Sequence, residues 1–159
     1  MRQRLAEPGE DLFVGAYNQA RRGNLKTSLN SSHTPHHVVQ HAVGRSTHGR
    51  GITINLRRDL HELTRTFGTP VQTAPNLRTH LARDIRDLRR ILRNAGYDQR
   101  TINRQLRELI RQNKNSYQFL INTLRIRSGE FIRFFKRIIG RHYGEDSLVA
   151  IRSVNGVRF

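Results

Sequence analysis

The chain contains no cysteine in its 159 residues, which excludes a disulfide framework and a thiolate zinc site and leaves the redox compartment open. It also has no apolar run approaching the roughly 18 residues of a membrane span, so no membrane partner is expected. The opening Met1-Arg2-Gln3-Arg4-Leu5-Ala6-Glu7-Pro8-Gly9 lacks the apolar stretch of a signal peptide. Export, where it occurs, is then expected to rely on something other than a cleaved leader. Apolar residues make up 35% of the chain, so the core is expected to be modest. No internal repeat and no low-complexity tract is present.

Acid is scarce as well, with 12 Asp and Glu against 29 Lys and Arg, for a formal net charge of +17. Lysine contributes only three of those cations and arginine 26. The planar guanidinium fork matches phosphate oxygens, so this skew suits phosphate recognition better than mere solubility. Basicity alone would equally suit a membrane surface or an acidic protein. The charge is uneven: residues 1–32 carry +2, 33–70 carry +3 and 71–159 carry +12. Histidine is the second excess, with six of the eight (His33, His36, His37, His41, His48 and His61) in one window. Imidazole serves as base, acid or metal ligand near neutral pH. In a core it must find partners for both ring nitrogens, so crowding of this kind points to chemistry and away from packing. Charge and histidines together point to nucleic acid as the partner.

The length suits one domain, 1–159, of the α+β class. Apolar spacing predicts a helix from Glu10 to Arg22, ended by Gly23-Asn24, and a polar loop over 24–34. Pro35 prevents a regular helix through His33–His37. A short strand is predicted at His37-Val38-Val39, then a Gly-broken loop over 41–50. Ile52, Ile54 and Leu56 alternate with Thr53 and Asn55 as in a half-buried strand. A helix from about Arg58 to Thr66 follows, with Leu60, Leu63 and Phe67 inward. Strand, loop, strand and helix thus complete the 10–70 portion.

Residues 71–159 are predicted to be a basic helical region. One helix carries Leu77, Leu81, Ile85, Leu88 and Leu92 on a stripe and ends near Gly96. Another starts after Asp98 as N-cap, with Ile102, Leu106, Leu109 and Ile110 inward. Arg100, Arg104, Arg107 and Arg111 run two residues out of phase, about 200° away, on the outer face. Further helices are predicted from Ser116 and over Glu130–Ile139, and a C-terminal β-hairpin around Val154-Asn155-Gly156.

Phosphodiester hydrolysis needs an activated water and stabilisation of charge on the leaving oxygen. An imidazole base and a divalent cation supply these. His36-His37, a Gly-broken loop, a second strand and His61 on a helix resemble the ββα-metal, or His-Me finger, nucleases, which include HNH enzymes and colicin DNases. Thr34-Pro35-His36-His37, Gly51-Ile52-Thr53-Ile54 and His61-x-x-Thr64-Arg65-Thr66-x-Gly68 look more narrowly like C-terminal toxin domains of bacterial polymorphic toxins. The resemblance covers residues 33–68 and implies a ββα-metal motif embedded in a mainly helical domain. It implies His36 and His61 as metal ligands and His37 as general base.

The colicin pattern has a further histidine where this chain has Arg65, and arginine cannot ligate a metal. Either Asp59, Asn55 or His33 completes the shell, or few ligands hold the ion. Few protein ligands favour Mg²⁺ over Zn²⁺. Arg65 is expected to clamp the scissile phosphate or to pair with Glu62. Arg45, Arg50 and the Arg100, Arg104, Arg107 and Arg111 row are candidate phosphate contacts without sequence readout. The resemblance further implies an antibacterial DNase delivered without a cleaved signal peptide into a target-cell cytoplasm and countered by an acidic immunity protein. A ribonuclease or tRNase toxin, a mobile-element HNH endonuclease and a non-enzymatic nucleic-acid-binding protein are the alternatives.

Overall fold

The computed structural model describes residues 4–39, 46–70 and 77–116, all within a compact unit formed by Met1–Tyr117. The fold is α+β. Three short strands, β1 (Val14–Ala16), β2 (His33–His37) and β3 (Ile52–Arg57), make one antiparallel sheet in the order β1-β3-β2. Helix α1 (Tyr17–Leu25) follows β1, α2 (Arg58–Glu62) follows β3, and α3 (Leu77–Asn94) lies beyond. A fourth helical stretch, α4, covers 99–116.

β3 is central because its alternation serves two faces. Ile54 and Leu56 are fully buried in a cluster with Leu60, Leu81, Ile85, Leu88, Leu92, Ile102, Leu106 and Leu109, each such side chain contributing about 1.5–3 kcal/mol. The stripes predicted for α3 and α4 are the ones that enter this core. α3 closes with Gly96 at φ 84° and Tyr97 N–H donating to the Leu92 carbonyl at 3.1 Å, a helix-ending turn that glycine adopts without strain. Asp98 accepts the Thr101 backbone N–H at 2.9 Å, the predicted N-cap of α4.

Four predictions change. Thr53 and Asn55, expected on a wet face, are fully buried, because α1 covers that side. Asn55 and Asn24 of α1 exchange two amide hydrogen bonds of 2.8 Å, and Thr53 Oγ1 donates to the Gly15 carbonyl at 3.0 Å. Residues 10–16 are not helical. Leu12 N–H donates to the Asn55 carbonyl and Phe13 accepts from Asn55 N–H, so sheet pairing overrides a helical spacing, and Leu12 takes a φ of 60°. α1 instead runs through Gly23, where a Cβ would lie 2.2 Å from the Gly9 nitrogen.

The strand predicted at 37–39 is His33–His37, with Val38 and Val39 buried beyond its end. Pro35 is tolerated because β2 is an edge strand. Helix α2 stops at Glu62, leaving Leu63 and Phe67 61% and 46% exposed where they were expected inward. Ser116, the predicted start of a further helix, still belongs to α4; the rest of that helix, the one over Glu130–Ile139 and the C-terminal hairpin lie outside the described residues. Among the described residues, no helix is long and apolar enough to cross a membrane.

Candidate active site

Successive residues of a strand point to opposite faces, and β2 uses this to separate its histidines. His36, opposite Ile54 in register, faces the helical side, and His37, opposite Thr53, faces α1. α2 springs directly from β3, so His61 arrives beside His36. The two rings meet edge to face with centroids 5.0 Å apart, and Phe67 packs edge-on against His61 at 5.0 Å. His36 is 5% exposed. Burial first, then the neighbouring His61 and His37, push its pKa down to about 3. Burial also lowers that of half-buried His61. Among the described residues neither ring makes a hydrogen bond, so two neutral imidazoles offer lone pairs with no protein donor claiming them.

His37 is held differently. Its ring stacks on Tyr17, the first residue of α1, at 5.2 Å and 9°, and His48 tilts against both, at 4.7 Å from His37 and 4.2 Å from Tyr17. Nε2 of His37 lies 3.1 Å from the His48 carbonyl oxygen. A carbonyl only accepts, so Nε2 carries the hydrogen, and in the neutral ring the lone pair sits on Nδ1. Gly51 makes the arrangement possible: a Cβ there would come within 2.7 Å of the His37 ring.

His33 belongs to a third group. Its Nδ1 shares a hydrogen with Ser32 Oγ at 2.8 Å, and its Nε2 lies 3.2 Å from Asp11 Oδ1. That approach is close but poorly aligned as a hydrogen bond. The other Asp11 oxygen accepts from the Tyr97 hydroxyl at 2.5 Å, tying the N-terminal segment to the α3–α4 junction. His33 is thus occupied away from the His36–His61 pair, as is Asn55, so neither adds to that pair.

The remaining candidates scatter. Asp59 lies two residues before His61 on α2, about 200° around the helix. It is exposed and bound by Arg57 through two hydrogen bonds, which hold its carboxyl below the usual range. Among the described residues Arg65 pairs with α3 and not with Glu62. Its Nε donates to Asp84 Oδ1 at 2.8 Å, Nη2 lies 2.8 Å from the same oxygen, and its backbone N–H donates to Asp87 Oδ2 at 2.8 Å. Arg50 is exposed in the turn preceding β3, and His41 and Arg45 lie outside the described residues. Arg100, Arg107 and Arg111 are exposed on α4 and Arg104 is half-buried. They line a shallow depression with Leu5, Asn103 and Glu108, where Glu108 binds Arg111 at 2.8 Å.

No three His, Asp or Glu side chains gather as a metal site among the described residues. The donor set that the structure assembles is the His36–His61 pair. Its chemistry fits a divalent ion held by imidazole nitrogen. Sequence reasoning missed what Tyr17 does, and it quoted Gly51 only as part of a motif, without the room it leaves for the His37 ring. It also missed the partners of Arg65. Comparison with protein-family models, with curated proteins and with solved structures finds no match.

Proposed function

We propose that the protein is a metal-dependent endonuclease of the ββα-metal kind, a DNase toxin that cuts with little sequence preference. One observation carries the reading: His36 and His61 meet as bare neutral imidazoles at a strand–helix junction, while the adjacent His37 is fixed with its lone pair on Nδ1. His37 Nδ1 takes a proton from water, whose oxygen attacks phosphorus as the P–O3′ bond breaks and its electron pair leaves with the 3′ oxygen. The His48 carbonyl and the Tyr17 face hold the ring in the tautomer and orientation this needs, and support the cation formed once the proton arrives. His36 and His61 would hold the ion, which when bound supplies Lewis-acid stabilisation of the phosphate and the leaving oxygen.

With Asp59 committed to Arg57, the donors are nitrogen, which suits Zn²⁺ or Ni²⁺ better than Mg²⁺, an oxygen-seeking ion. The positive surface supplies affinity for the phosphate backbone. The same charge fits an acidic immunity protein in the producing cell, with delivery into a target-cell cytoplasm as part of a larger secreted toxin.

A second reading is favoured by the His37–His48 pair. Two imidazoles 4.7 Å apart provide a base and an acid for a metal-free ribonuclease acting through the 2′ hydroxyl. Incubating the protein with plasmid DNA and with total RNA, in Zn²⁺, Ni²⁺, Mg²⁺ or EDTA, separates the two. DNA cleavage abolished by EDTA, and reduced about 10²–10⁴-fold in His37→Ala with unchanged circular dichroism, is the expected result. RNA cleavage that survives EDTA selects the second reading. Full activity in His37→Ala removes both.

A further inference from the structure

Helix α3 carries six arginines in 18 residues: Arg78, Arg83, Arg86, Arg89, Arg90 and Arg93. At 3.6 residues per turn they fall within an arc of about 140°, centred opposite the buried face that runs from His80 and Ile91 through Asp84 to Leu88, Leu92 and Ile85. The arc holds no lysine and no acid. Asp87 stands at its edge and is already bound to the Arg65 backbone and to Arg90, at 2.8 and 2.7 Å. Arg78, Arg83 and Arg86 are exposed and line a shallow depression with Thr79 and Ala82. Among the described residues neither Arg78 nor Arg86 forms an ion pair.

A helix face that serves only to meet water mixes signs, because opposite charges three or four residues apart stabilise it and like charges destabilise it. Here 83–86, 86–89, 86–90, 89–93 and 90–93 are all like-charged neighbours. The face works against the helix that bears it, and packing of the opposite stripe holds it together. A partner with regularly repeated negative charge reverses that cost. Arg78 to Arg93 spans about 22 Å of helix, the length of about six phosphates along one strand. The exclusive use of arginine suits phosphate oxygens over carboxylates in general.

We infer that the outer face of α3 is a docking surface for a nucleic-acid backbone, separate from the Arg100–Arg111 row of α4. This rests on the nuclease reading for the identity of the polyanion. It makes Arg78, Arg83 and Arg86 contacts that steer and hold substrate without reading its sequence.

The test uses the full chain carrying His37→Ala, in EDTA, and a fluorescein-labelled DNA duplex of mixed sequence, with affinity measured by anisotropy across a salt series. Replacing Arg78, Arg83 and Arg86 with Gln is expected to lower the slope of log K against log salt by about two to three and to weaken binding about ten- to a hundredfold near physiological salt. The Arg→Lys version at the same positions keeps the slope, and circular dichroism of both matches the parent. Unchanged affinity and slope in the Gln variant overturns the inference. So does loss of poly-L-glutamate binding with duplex binding intact, which would assign the face to an acidic protein. The two readings fail separately. If the wild type cuts nothing but the Gln variant loses duplex binding, the nuclease falls and the α3 surface stands. If the wild type cuts and the Gln variant binds as before, the reverse holds.

Discussion

Two polar clusters flank the turn after α2, one held by an ion pair and the other holding two imidazoles. On one side His36 and His61 meet with no hydrogen bond to either ring among the described residues, both pKa values being lowered chiefly by burial. On the other, Arg65 is locked to Asp84 and Asp87 of α3, with His80 buried alongside and its pKa lowered by burial and by the charges of Arg65 and Arg83. Buried polar groups are ordinarily satisfied by the protein itself, at a cost of about 1–3 kcal/mol where they are not. The Arg65 cluster meets that rule in part, since Asp84 Oδ1 and Asp87 Oδ2 are taken by Arg65 while Asp84 Oδ2 has no hydrogen bond among the described residues, and its ion pair fixes the 63–70 turn on α3. The imidazole pair has neither a hydrogen bond nor an ion pair on either ring among the described residues, which is what a site that keeps its lone pairs for something else looks like.

The largest expected effect breaks the imidazole side. His61→Ala and His36→Ala are each expected to weaken Zn²⁺ or Ni²⁺ binding, read by calorimetry, by more than about a hundredfold, beyond the loss typical for outer-shell partners. His37→Ala is expected to leave ion binding intact. A His61→Ala protein that binds the ion as tightly as the parent would mean that the pair is only packing.

How much of this was legible in the sequence follows from which contacts leave a periodic trace. The apolar positions Ile52, Ile54 and Leu56 and the 3.6-residue stripes of α3 and α4 mark the core-facing residues, so β3, α3 and α4 were readable, but not the burial of Thr53 and Asn55 beneath α1. That His36 and His61 come together was expected from the resemblance, which supplied the order of elements and the helix histidine. Contacts between polar residues far apart in sequence leave no such trace. Asn24 with Asn55, Asp11 with His33 and Tyr97, and Arg65 with Asp84 each join solitary polar side chains on different elements. Leu12 and Phe13 misled because a helical spacing and a sheet-edge burial place the same residue types at the same positions. Arg65 misled because its neighbour Glu62 was the nearest partner in sequence, whereas the nearest in space lay on another helix.

A smaller effect sharpens the other side of the comparison. Asp84 is 3% exposed and Arg65 supplies its guanidinium, so Arg65→Ala strands a buried carboxylate. Unfolding in urea at neutral pH is expected to show a loss of about 3 kcal/mol, with cleavage at a permissive temperature unchanged. Arg65→Lys is expected to recover part of the stability, since one ammonium replaces a fork. Loss of cleavage by a hundredfold or more in Arg65→Ala, with stability intact, would return Arg65 to the phosphate clamp that the sequence suggested.

The smallest effect is a pH dependence. Burial pushes the Asp84 carboxyl up to about 6 against the opposing pull of Arg65, from an unfolded value of about 3.9. The folded protein therefore binds this proton more tightly than the unfolded chain. Its contribution to stability is fully present below the unfolded pKa and is lost as pH rises from about 4 through about 6. Glu10, Asp98 and Glu108, whose carboxyls are held below the ordinary range by hydrogen bonds from Arg4, Thr101 and Arg111, act in the opposite sense and lose stability as pH falls. Wild type alone would blur the two. Asp84→Asn isolates one, because the amide stays neutral throughout. The melting temperature of wild type relative to Asp84→Asn is expected to fall by a few degrees between pH 4 and 7. A difference that does not change with pH would mean that Arg65 compensates Asp84 fully. The ion pair would then hold Asp84 charged across this range, and its contrast with the bare imidazoles across the turn would be sharper still.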